Sequence, residues 1–309
     1  MHNAPTGFIP FGALSIAKGM VIMMDNRACV NYLIKRFPKY SIEVIKEKKS
    51  VLVIKALSNN KAYIIKCYLN RITQTYREIN INNFLFDIDY NCAKITDVLE
   101  YENYIFIVFE FVIGKSLAEY VYRDDFISKI RLLCKHISKL HSIENFDCLF
   151  KYQIQVETYI KEKIKKCEVI LNKYKIHEYQ NIILYLKRNF KKIDQTRPSI
   201  LHGDLQFYNV LIKNNDNKSL CIIDFEHSFI CDYRIDLARL FIGIPDDIQE
   251  IIMIYYEKYS GRKIEQLIYF LVLESFYNIL VFKVVSYGSD LDNYVKMCNE
   301  NFNAYIMKT

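Results

Sequence analysis

Hydrophobic residues follow two different spacings on the two sides of Gly114. Before it, short apolar runs typical of strands lie at 41–46, 51–57, 62–68, 93–99 and 104–112. One helix-spaced segment, around 76–86, separates the third run from the fourth. After Gly114, helical spacing prevails at 126–143, 155–174, 178–190 and from 235 onward. Because strands and helices bury side chains with different periods, this division predicts a small β-rich lobe followed by a larger helical lobe.

The helical spacing lapses between residues 195 and 229. Three short apolar runs, at 199–201, 210–212 and 220–223, alternate here with polar turns. We therefore predict short strands inside the helical lobe, with polar side chains on the turns that connect them.

The composition of the 309 residues, 51% hydrophobic and 25% charged, is that of a folded globular protein and excludes wholesale disorder. The net charge of +7 is compatible with nucleic acid, a phosphorylated ligand or an anionic surface, and selects none of them. Nine cysteines without Cys-x-x-Cys spacing argue against a zinc site and a disulfide framework. We expect reduced thiols and a cytoplasmic protein.

Two segments bear on targeting. Prolines and glycines interrupt the first twenty residues, so we expect no secretory signal and treat 1–24 as a flexible arm. The run at 267–285 is long enough to cross a bilayer, but it contains Glu274, Asn278 and Lys283. Because charged groups are costly in lipid, we predict a buried helix there and no membrane partner.

Three polar residues stand out in the region of short strands. Asn209 lies five positions after Asp204. Asp224 closes the strand-like run at 220–223. Phosphoryl transfer needs a carboxylate that orients the acceptor hydroxyl and hard oxygen ligands for Mg²⁺. Asp204 suits the first role, and Asn209 and Asp224 suit the second. The alternative is a tight turn in which Gly203 adopts a positive φ and Asp204 caps the local backbone.

The motif around these residues resembles a known family. His-Gly-Asp-x-x-x-x-Asn at 202–209, followed by Ile-Asp-Phe-Glu at 223–226, is similar to the aminoglycoside phosphotransferase and choline kinase superfamily. The resemblance implies an α+β, protein-kinase-like bilobal fold, with a small β-rich N-lobe and a large, mainly helical C-lobe. It implies that Asp204 is the catalytic base. Gly203 and Glu226 stand where protein kinases have Arg and Gly, which favours a small-molecule kinase.

The resemblance extends to residues outside that motif. It implies that Lys66 and Glu78 form the pair that orients the nucleotide phosphates. It also implies that Asn209 and Asp224 bind Mg²⁺. The nucleotide implied is ATP or GTP.

Further matches concern the hinge and the support of the catalytic loop. Residues 109–114 resemble the segment between lobes that holds adenine, with Glu110 and Val112 as candidate contacts. His202 and Asp236 are expected to support the catalytic loop. The expected division is therefore an arm at 1–24, a nucleotide-binding lobe at 25–113, and a helical lobe with the catalytic loop and acceptor site at 114–309.

One departure lies in the first hairpin, at 46–50, which has no glycine. Glycine there would let backbone amides approach the phosphates closely. Ser50 is the candidate nucleotide contact in this hairpin, and Lys48 or Lys49 could supply a point charge. The missing glycine is the main support for an alternative function, a kinase-like nucleotide-binding module without turnover.

The acceptor is not specified by the motifs. A cationic acceptor would need carboxylates near the transferred phosphate, and Glu226, Asp232 and Glu274 are the candidates. The net charge of +7 opposes long-range attraction of a polycation. Aminoglycoside, choline, ethanolamine and sugar acceptors all stay open. A nucleic-acid binder would rest on net charge alone, so we expect a monomer with a small-molecule partner and no nucleic acid.

Overall fold

The apolar runs of the first lobe form one antiparallel sheet in the computed structural model. The structure describes residues 26–48, 51–59, 61–69, 72–177, 179–214 and 219–285. The expected arm at 1–24 lies outside them. The sheet has the strand order β1-β2-β3-β5-β4. Its strands are β1 (Ser41–Lys48), β2 (Val51–Leu57), β3 (Ala62–Leu69), β4 (Ile95–Tyr101) and β5 (Tyr104–Glu110).

All five predicted strands are present, four of them with shifted ends: β1 continues two residues past the predicted end at 46, and β3 one residue past 68. β4 begins two residues later than the apolar run, and β5 ends at Glu110 rather than at 112. The neighbours of β5 are β3 and β4 on its two sides, which explains its nearly continuous burial.

Two helices pack on opposite faces of this sheet. The helix α1 (Asn26–Arg36) was not predicted, because only Cys29 and Leu33 of its eleven residues are buried. These two side chains pack on the face formed by Cys67 and Phe106. The helix α2 (Ile72–Asp87) was predicted, and its Ile79 packs on the other face. Lys66 belongs to that second face because side chains alternate along β3.

The C-terminal part of the described chain is mainly helical, as predicted. Its helices are α3 (Phe126–His141), α4 (Val156–Tyr174), α5 (Gln180–Asn189), α6 (Arg234–Phe241), α7 (Asp246–Ser260) and α8 (Leu267–Val285). The continuous helical pattern expected from 235 is three helices up to residue 285, broken by turns that include Gly243 and Gly261. Phe270, Leu273 and Phe276 of α8 are fully buried, which confirms the predicted buried helix. No helix in the described ranges has the length and apolarity to cross a bilayer.

Short strands lie between the two halves and within the helical part. They are β6 (Gly114–Ser116), β7 (Ser199–Leu201), β8 (Val210–Lys213), β9 (Leu220–Ile222) and β10 (Phe229–Cys231). β6 pairs with β8, β8 with β9, and β7 with β10. Gly114 lies so close to β8 that a Cβ there would come within 2.5 Å of the carbonyl oxygen of Ile212. The chain therefore enters the sheet formed by β6, β8 and β9 directly after it leaves the first sheet.

Candidate active site

The loop at 202–209, here called the Asp204 loop, follows β7 and is held by one buried carboxylate. The backbone N–H of His202 donates to Oδ2 of Asp236 at 2.6 Å, and the N–H of Gly203 donates to Oδ1 at 2.8 Å. Gly203 has a φ of +79°, and a Cβ there would lie 2.0 Å from the carbonyl oxygen of His227. Only glycine fits this position, which explains the His-Gly-Asp sequence.

Asp236 is fully buried on α6 and contacts His141, which in turn contacts Tyr256. The Nε2 of His141 lies 3.3 Å from its Oδ2, and the hydroxyl of Tyr256 lies 2.9 Å from Nδ1 of the same ring. Burial alone would raise the pKa of Asp236, but the hydrogen bond from His141 and the nearby loop amides lower it below its ordinary value. A charged Asp236 is therefore built into the support of the loop.

The carboxylate of Asp204 is half-buried and lines a cavity of about 1040 Å³ in the helical part. Its Oδ1 accepts a hydrogen bond from Gln206 at 3.3 Å. The side-chain N–H of Asn209 donates to the backbone carbonyl of Asp204 at 2.8 Å. That bond uses the Asn209 nitrogen and leaves its oxygen for another partner.

The ring of His202 connects the Asp204 loop to the segment that carries Asp224. Its Nε2 donates to the carbonyl of Ile223 at 2.8 Å, and its Nδ1 accepts from the N–H of Asp204 at 3.2 Å. The ring also packs edge-on against Phe225, with centroids 4.8 Å apart. A second link runs along the backbone, where the N–H of Ile223 donates to the carbonyl of Asn209 at 2.9 Å. Asn209 and Asp224 are thus brought together.

Asp224 has a left-handed backbone, with φ 72° and ψ 56°, a conformation that Asp tolerates better than most residues. Its Oδ1 accepts a hydrogen bond from Nζ of Lys66 at 2.6 Å. Burial would raise the pKa of Asp224, but the positive charge of Lys66 lowers it below its ordinary value. The carboxylate is therefore charged at neutral pH.

Lys66 lies on β3, is nearly buried, and contacts two carboxylates at once. Its Nζ donates to Oε1 of Glu78 on α2 at 2.6 Å, as it does to Asp224. Burial alone would lower the pKa of Lys66, but the charges of Glu78, Asp224 and Glu226 together raise it above its ordinary value. The pairing expected between Lys66 and Glu78 is therefore present.

A tyrosine completes this group. The hydroxyl of Tyr68 donates to Oε2 of Glu78 at 2.6 Å and lies 3.2 Å from Oε2 of Glu226. Tyr68 was missed in the sequence, although it lies two residues after Lys66 on the same face of β3. The period of two along a strand is the signal that could have identified it.

The donor set at Asn209 and Asp224 fits a magnesium ion carried by a nucleotide. Within the described ranges, no three His, Cys, Asp or Glu side chains form a group that could hold a metal by themselves. Mg²⁺ bound through phosphates needs only one or two protein oxygens beside the phosphate and water oxygens. The side-chain oxygen of Asn209, which has no hydrogen-bond partner among the described residues, and the second oxygen of Asp224 are of the right chemical type.

The residues expected to contact the nucleotide outside this centre lie at the end of β5 and in the first hairpin. Glu110 ends β5, and its N–H donates to the carbonyl of Lys94 at 2.9 Å. Among the described residues, the N–H of Val112 has no hydrogen-bond partner. Ser50 and Lys49 lie outside the described residues.

The three expected acceptor residues lie in different places. Glu274 lines the cavity with Asp204, but Glu226 and Asp232 are not among the described residues that line it. Glu226 lies behind Asp224, next to Tyr68. Asp232 is buried and forms an ion pair with Arg234, with 2.6 Å between Oδ2 and Nη2. Glu226 and Asp232 thus each have a partner inside the fold, and their role toward an acceptor stays a prediction.

A comparison with protein families decides the assignment. The profile of the phosphotransferase enzyme family matches residues 53–267, which is more than half of the chain and includes Lys66, Asp204 and Asp224. The chain belongs to the phosphotransferase enzyme family. The resemblance read from the sequence motifs is thereby confirmed. Among curated proteins, no sequence matches this chain.

Solved structures confirm the predicted kinase-like fold. An aminoglycoside phosphotransferase from Streptomyces rimosus is 14% identical, with 82% of this chain and 99% of that chain covered and a TM-score of 0.63. A choline kinase from Streptococcus pneumoniae is 16% identical, with 90% and 99% covered and a TM-score of 0.66. A spectinomycin phosphotransferase, solved with ADP and spectinomycin, is 14% identical, with 89% and 93% covered and a TM-score of 0.64.

Proposed function

We propose that this family member transfers the γ-phosphate of ATP or GTP to a hydroxyl group of a small molecule. The observation that carries the proposal is the position of Lys66, whose Nζ lies 2.6 Å from both Glu78 and Asp224. A buried lysine held between two carboxylates is an oriented cation. It is suited to hold the α- and β-phosphates of a nucleotide.

The nucleotide base would bind at the end of β5. The N–H of Val112, which has no partner in the described part of the chain, is a donor for the base, and the carbonyl of Glu110 is the neighbouring acceptor. Phe109, whose ring lies 5.5 Å from Nζ of Lys66, offers apolar surface between the base and the phosphates. Ser50 stays a predicted contact of the first hairpin.

Asn209 and Asp224 would hold Mg²⁺ through one oxygen each. When bound, the ion supplies positive charge that neutralises the phosphate oxygens as charge moves onto them. The lowered pKa of Asp224 keeps its carboxylate charged for this purpose. The links from His202 and Asn209 to the Asp224 segment keep these oxygens beside the Asp204 loop.

Asp204 would accept a hydrogen bond from the acceptor hydroxyl and take its proton as the new oxygen–phosphorus bond forms. The bond from the γ-phosphorus to the bridging oxygen breaks, and ADP or GDP leaves. Because the transition state of such transfers is loose, orientation of the hydroxyl contributes more than basicity. The hydrogen bonds from the Asp204 loop to Asp236 supply that orientation.

The acceptor would occupy the cavity beside Asp204. Its volume of about 1040 Å³ exceeds the size of choline and can contain a multi-ring molecule. The volume therefore does not distinguish aminoglycoside-like, choline-like and sugar acceptors, and an assay with each class is needed to identify the acceptor. We also keep a monomeric, cytoplasmic protein as a prediction.

The test is a coupled assay of nucleotide release with ATP or GTP, Mg²⁺ and a panel of hydroxyl compounds. Asp204→Ala should abolish acceptor-dependent release while the variant still gains thermal stability from Mg-nucleotide. Asp87→Ala is a matched control, since Asp87 is an exposed aspartate at the end of α2. Stabilisation by nucleotide without release on any acceptor would favour the non-catalytic module. Unchanged release in Asp204→Ala would remove the proposed role of Asp204.

A further inference from the structure

One wall of the cavity carries a buried charged group that the proposed transfer step does not use. Nζ of Lys163 on α4 lies 2.6 Å from Oε2 of Glu274 on α8. Nε of Arg239 on α6 lies 3.0 Å from the same oxygen. Tyr159 donates its hydroxyl to Oε1 of Glu274 at 2.5 Å. We call these four residues the Glu274 cluster.

The Glu274 cluster holds two positive charges and one negative charge. Both oxygens of Glu274 are used, since Oε1 accepts from Tyr159 and Oε2 accepts from Lys163 and Arg239. The positive charges of Lys163 and Arg239 keep the pKa of Glu274 low, at about 2, although burial alone would raise it. One positive charge is therefore left without a matching carboxylate inside the cluster.

Three other carboxylates of the described residues line the cavity, those of Glu162, Asp204 and Asp247, and none of them is buried as Glu274 is. The negative charge of Glu162 opposes the lowering of the Lys166 pKa by burial; Lys166 lies four residues further along α4. Asp247 is exposed in the first turn of α7, and Asp204 is assigned to the acceptor hydroxyl. Burial and the charge of Arg239 lower the pKa of Lys163 to about 8, against the attraction of Glu274. An uncompensated buried charge is costly, and a bound anion would offset that cost.

Both cations have hydrogen-bond donors to spare. Nζ of Lys163 has two hydrogen-bond partners, Glu274 and Tyr159, and lies 4.4 Å from the centroid of the Tyr277 ring. A lysine ammonium has three hydrogens, so one is left without an oxygen partner among the described residues. In the described part of the chain, Nη1 of Arg239 has no hydrogen-bond partner, while Nε and Nη2 donate to Glu274 and Tyr159. Only 7% of the Lys163 side chain is exposed, and the residue lines the cavity.

We propose that the acceptor carries a carboxylate, which binds Lys163 and Arg239 while a hydroxyl of the same molecule reaches Asp204. The inference rests on the proposed function and narrows its substrate class. A planar carboxylate matches the guanidinium group of Arg239 and accepts the third hydrogen of Lys163. A cationic group at this position would instead meet the positive charges of Lys163 and Arg239. Hydroxy acids and sugar acids are therefore expected to be better acceptors than aminoglycosides or choline.

The experiment compares compounds that share a carbon skeleton but differ in charge. Gluconate, glucose and glucosamine form one set, and glycerate, glycerol and serinol form another. Thermal stabilisation of the full chain is measured with each compound, with and without Mg-ATP, and nucleotide release is measured in parallel. The proteins are the wild type, Lys163→Met, Lys163→Arg and Lys165→Met. Lys165 is an exposed lysine on the same helix, so its substitution is the matched control.

The proposal expects stabilisation by the anionic member of at least one set, above that given by its neutral and cationic partners. In Lys163→Met, the concentration needed for half of this effect should rise by about 10- to 100-fold, as for loss of one charged hydrogen bond. Lys163→Arg should retain most of the effect, and Lys165→Met should retain all of it. If Lys163→Met does not fold, the double variant Lys163→Met/Glu274→Gln removes both charges and takes its place.

Several results would overturn the proposal. One is equal stabilisation by all three members of both sets, and another is an anion effect that Lys163→Met leaves unchanged. Efficient release with glucosamine or serinol, unaffected by Lys163→Met, would also overturn it while leaving the proposed phosphotransferase intact. Conversely, an anion effect lost in Lys163→Met without any nucleotide release supports the carboxylate site and counts against transfer.

Discussion

Lys66 and Asp224 are 158 residues apart in the sequence, yet Nζ of the first lies 2.6 Å from Oδ1 of the second. This ion pair joins β3 of the first sheet to the segment that follows β9. Glu78 contacts the other side of the same ammonium group. The contact therefore connects both parts of the fold at the place where a nucleotide would bind.

Replacing Lys66 by Met should abolish the thermal stabilisation given by Mg-ATP and lower kcat/KM by about 100-fold or more, because the phosphates lose an oriented cation. Lys55→Met is the control, since Lys55 lies on the neighbouring strand β2 and pairs with neither carboxylate. Calorimetric titration with the nucleotide measures the effect. Normal nucleotide affinity in Lys66→Met would contradict the assigned role.

Asp236→Asn should lower kcat while nucleotide affinity changes little, because Asp236 acts only through the Asp204 loop. The neutral amide weakens the hydrogen bonds from His202 and Gly203, so the free energy of unfolding should fall by about 1.5 to 3 kcal/mol. Urea denaturation and steady-state kinetics with Mg-ATP measure the two effects. An unchanged kcat in a folded Asp236→Asn protein would show that the loop does not need this support.

Gly203→Ala and Gly261→Ala form a matched pair at positive φ. A methyl group at residue 203 would meet the backbone of His227 at 2.0 Å, whereas nothing lies within 4 Å of a Cβ at residue 261. Gly261→Ala should cost about 1 to 2 kcal/mol from its φ alone. Gly203→Ala should cost several kcal/mol or prevent folding. Thermal unfolding of both variants tests this, and equal losses would contradict the close approach described here.

His136 should make stability depend on pH. Burial lowers the pKa of His136 to about 4, against an ordinary value of 6.5, while its Nε2 lies 3.2 Å from the carbonyl of Asn91. The unfolded chain then takes up the proton near pH 6.5 and the folded chain only near pH 4. Stability should therefore fall as the pH drops from about 6.5 to about 4, by about 2 to 3 kcal/mol in total.

The check on this pH dependence is urea denaturation of the wild type and of His136→Gln between pH 4 and pH 7. The difference in unfolding free energy between the two proteins should shrink or reverse as the pH falls. A difference that stays constant across this range would mean that His136 titrates alike in the folded and unfolded states.

The short apolar runs were sufficient to predict the first sheet, because β2, β3 and β5 each bury most of a short run of apolar side chains. The helix α1 escaped because two buried residues give too weak a period. The Asp204 loop could be located because its residues are close together in the sequence.

Contacts between distant residues were not predictable in the same way. Nothing local in the sequence indicates that Lys163 pairs with Glu274, which lies 111 residues further on. For the same reason Glu274 was expected to be an available carboxylate, whereas the fold surrounds it with two cations. His141 lies on α3, and only the position of α6 in the fold reveals its contact with Asp236. Ion pairs between residues that are far apart in the sequence are thus the part of the structure that the sequence alone did not predict.

The most direct test of the central claim is detection of the phosphorylated acceptor itself. Purified protein is incubated with Mg-ATP and each panel compound, and the products are examined by ³¹P NMR and mass spectrometry. The account predicts a new phosphomonoester with the wild type and Asp87→Ala, and none with Asp204→Ala. Binding of Mg-nucleotide without a phosphomonoester on any compound, or the same product from Asp204→Ala, would contradict it.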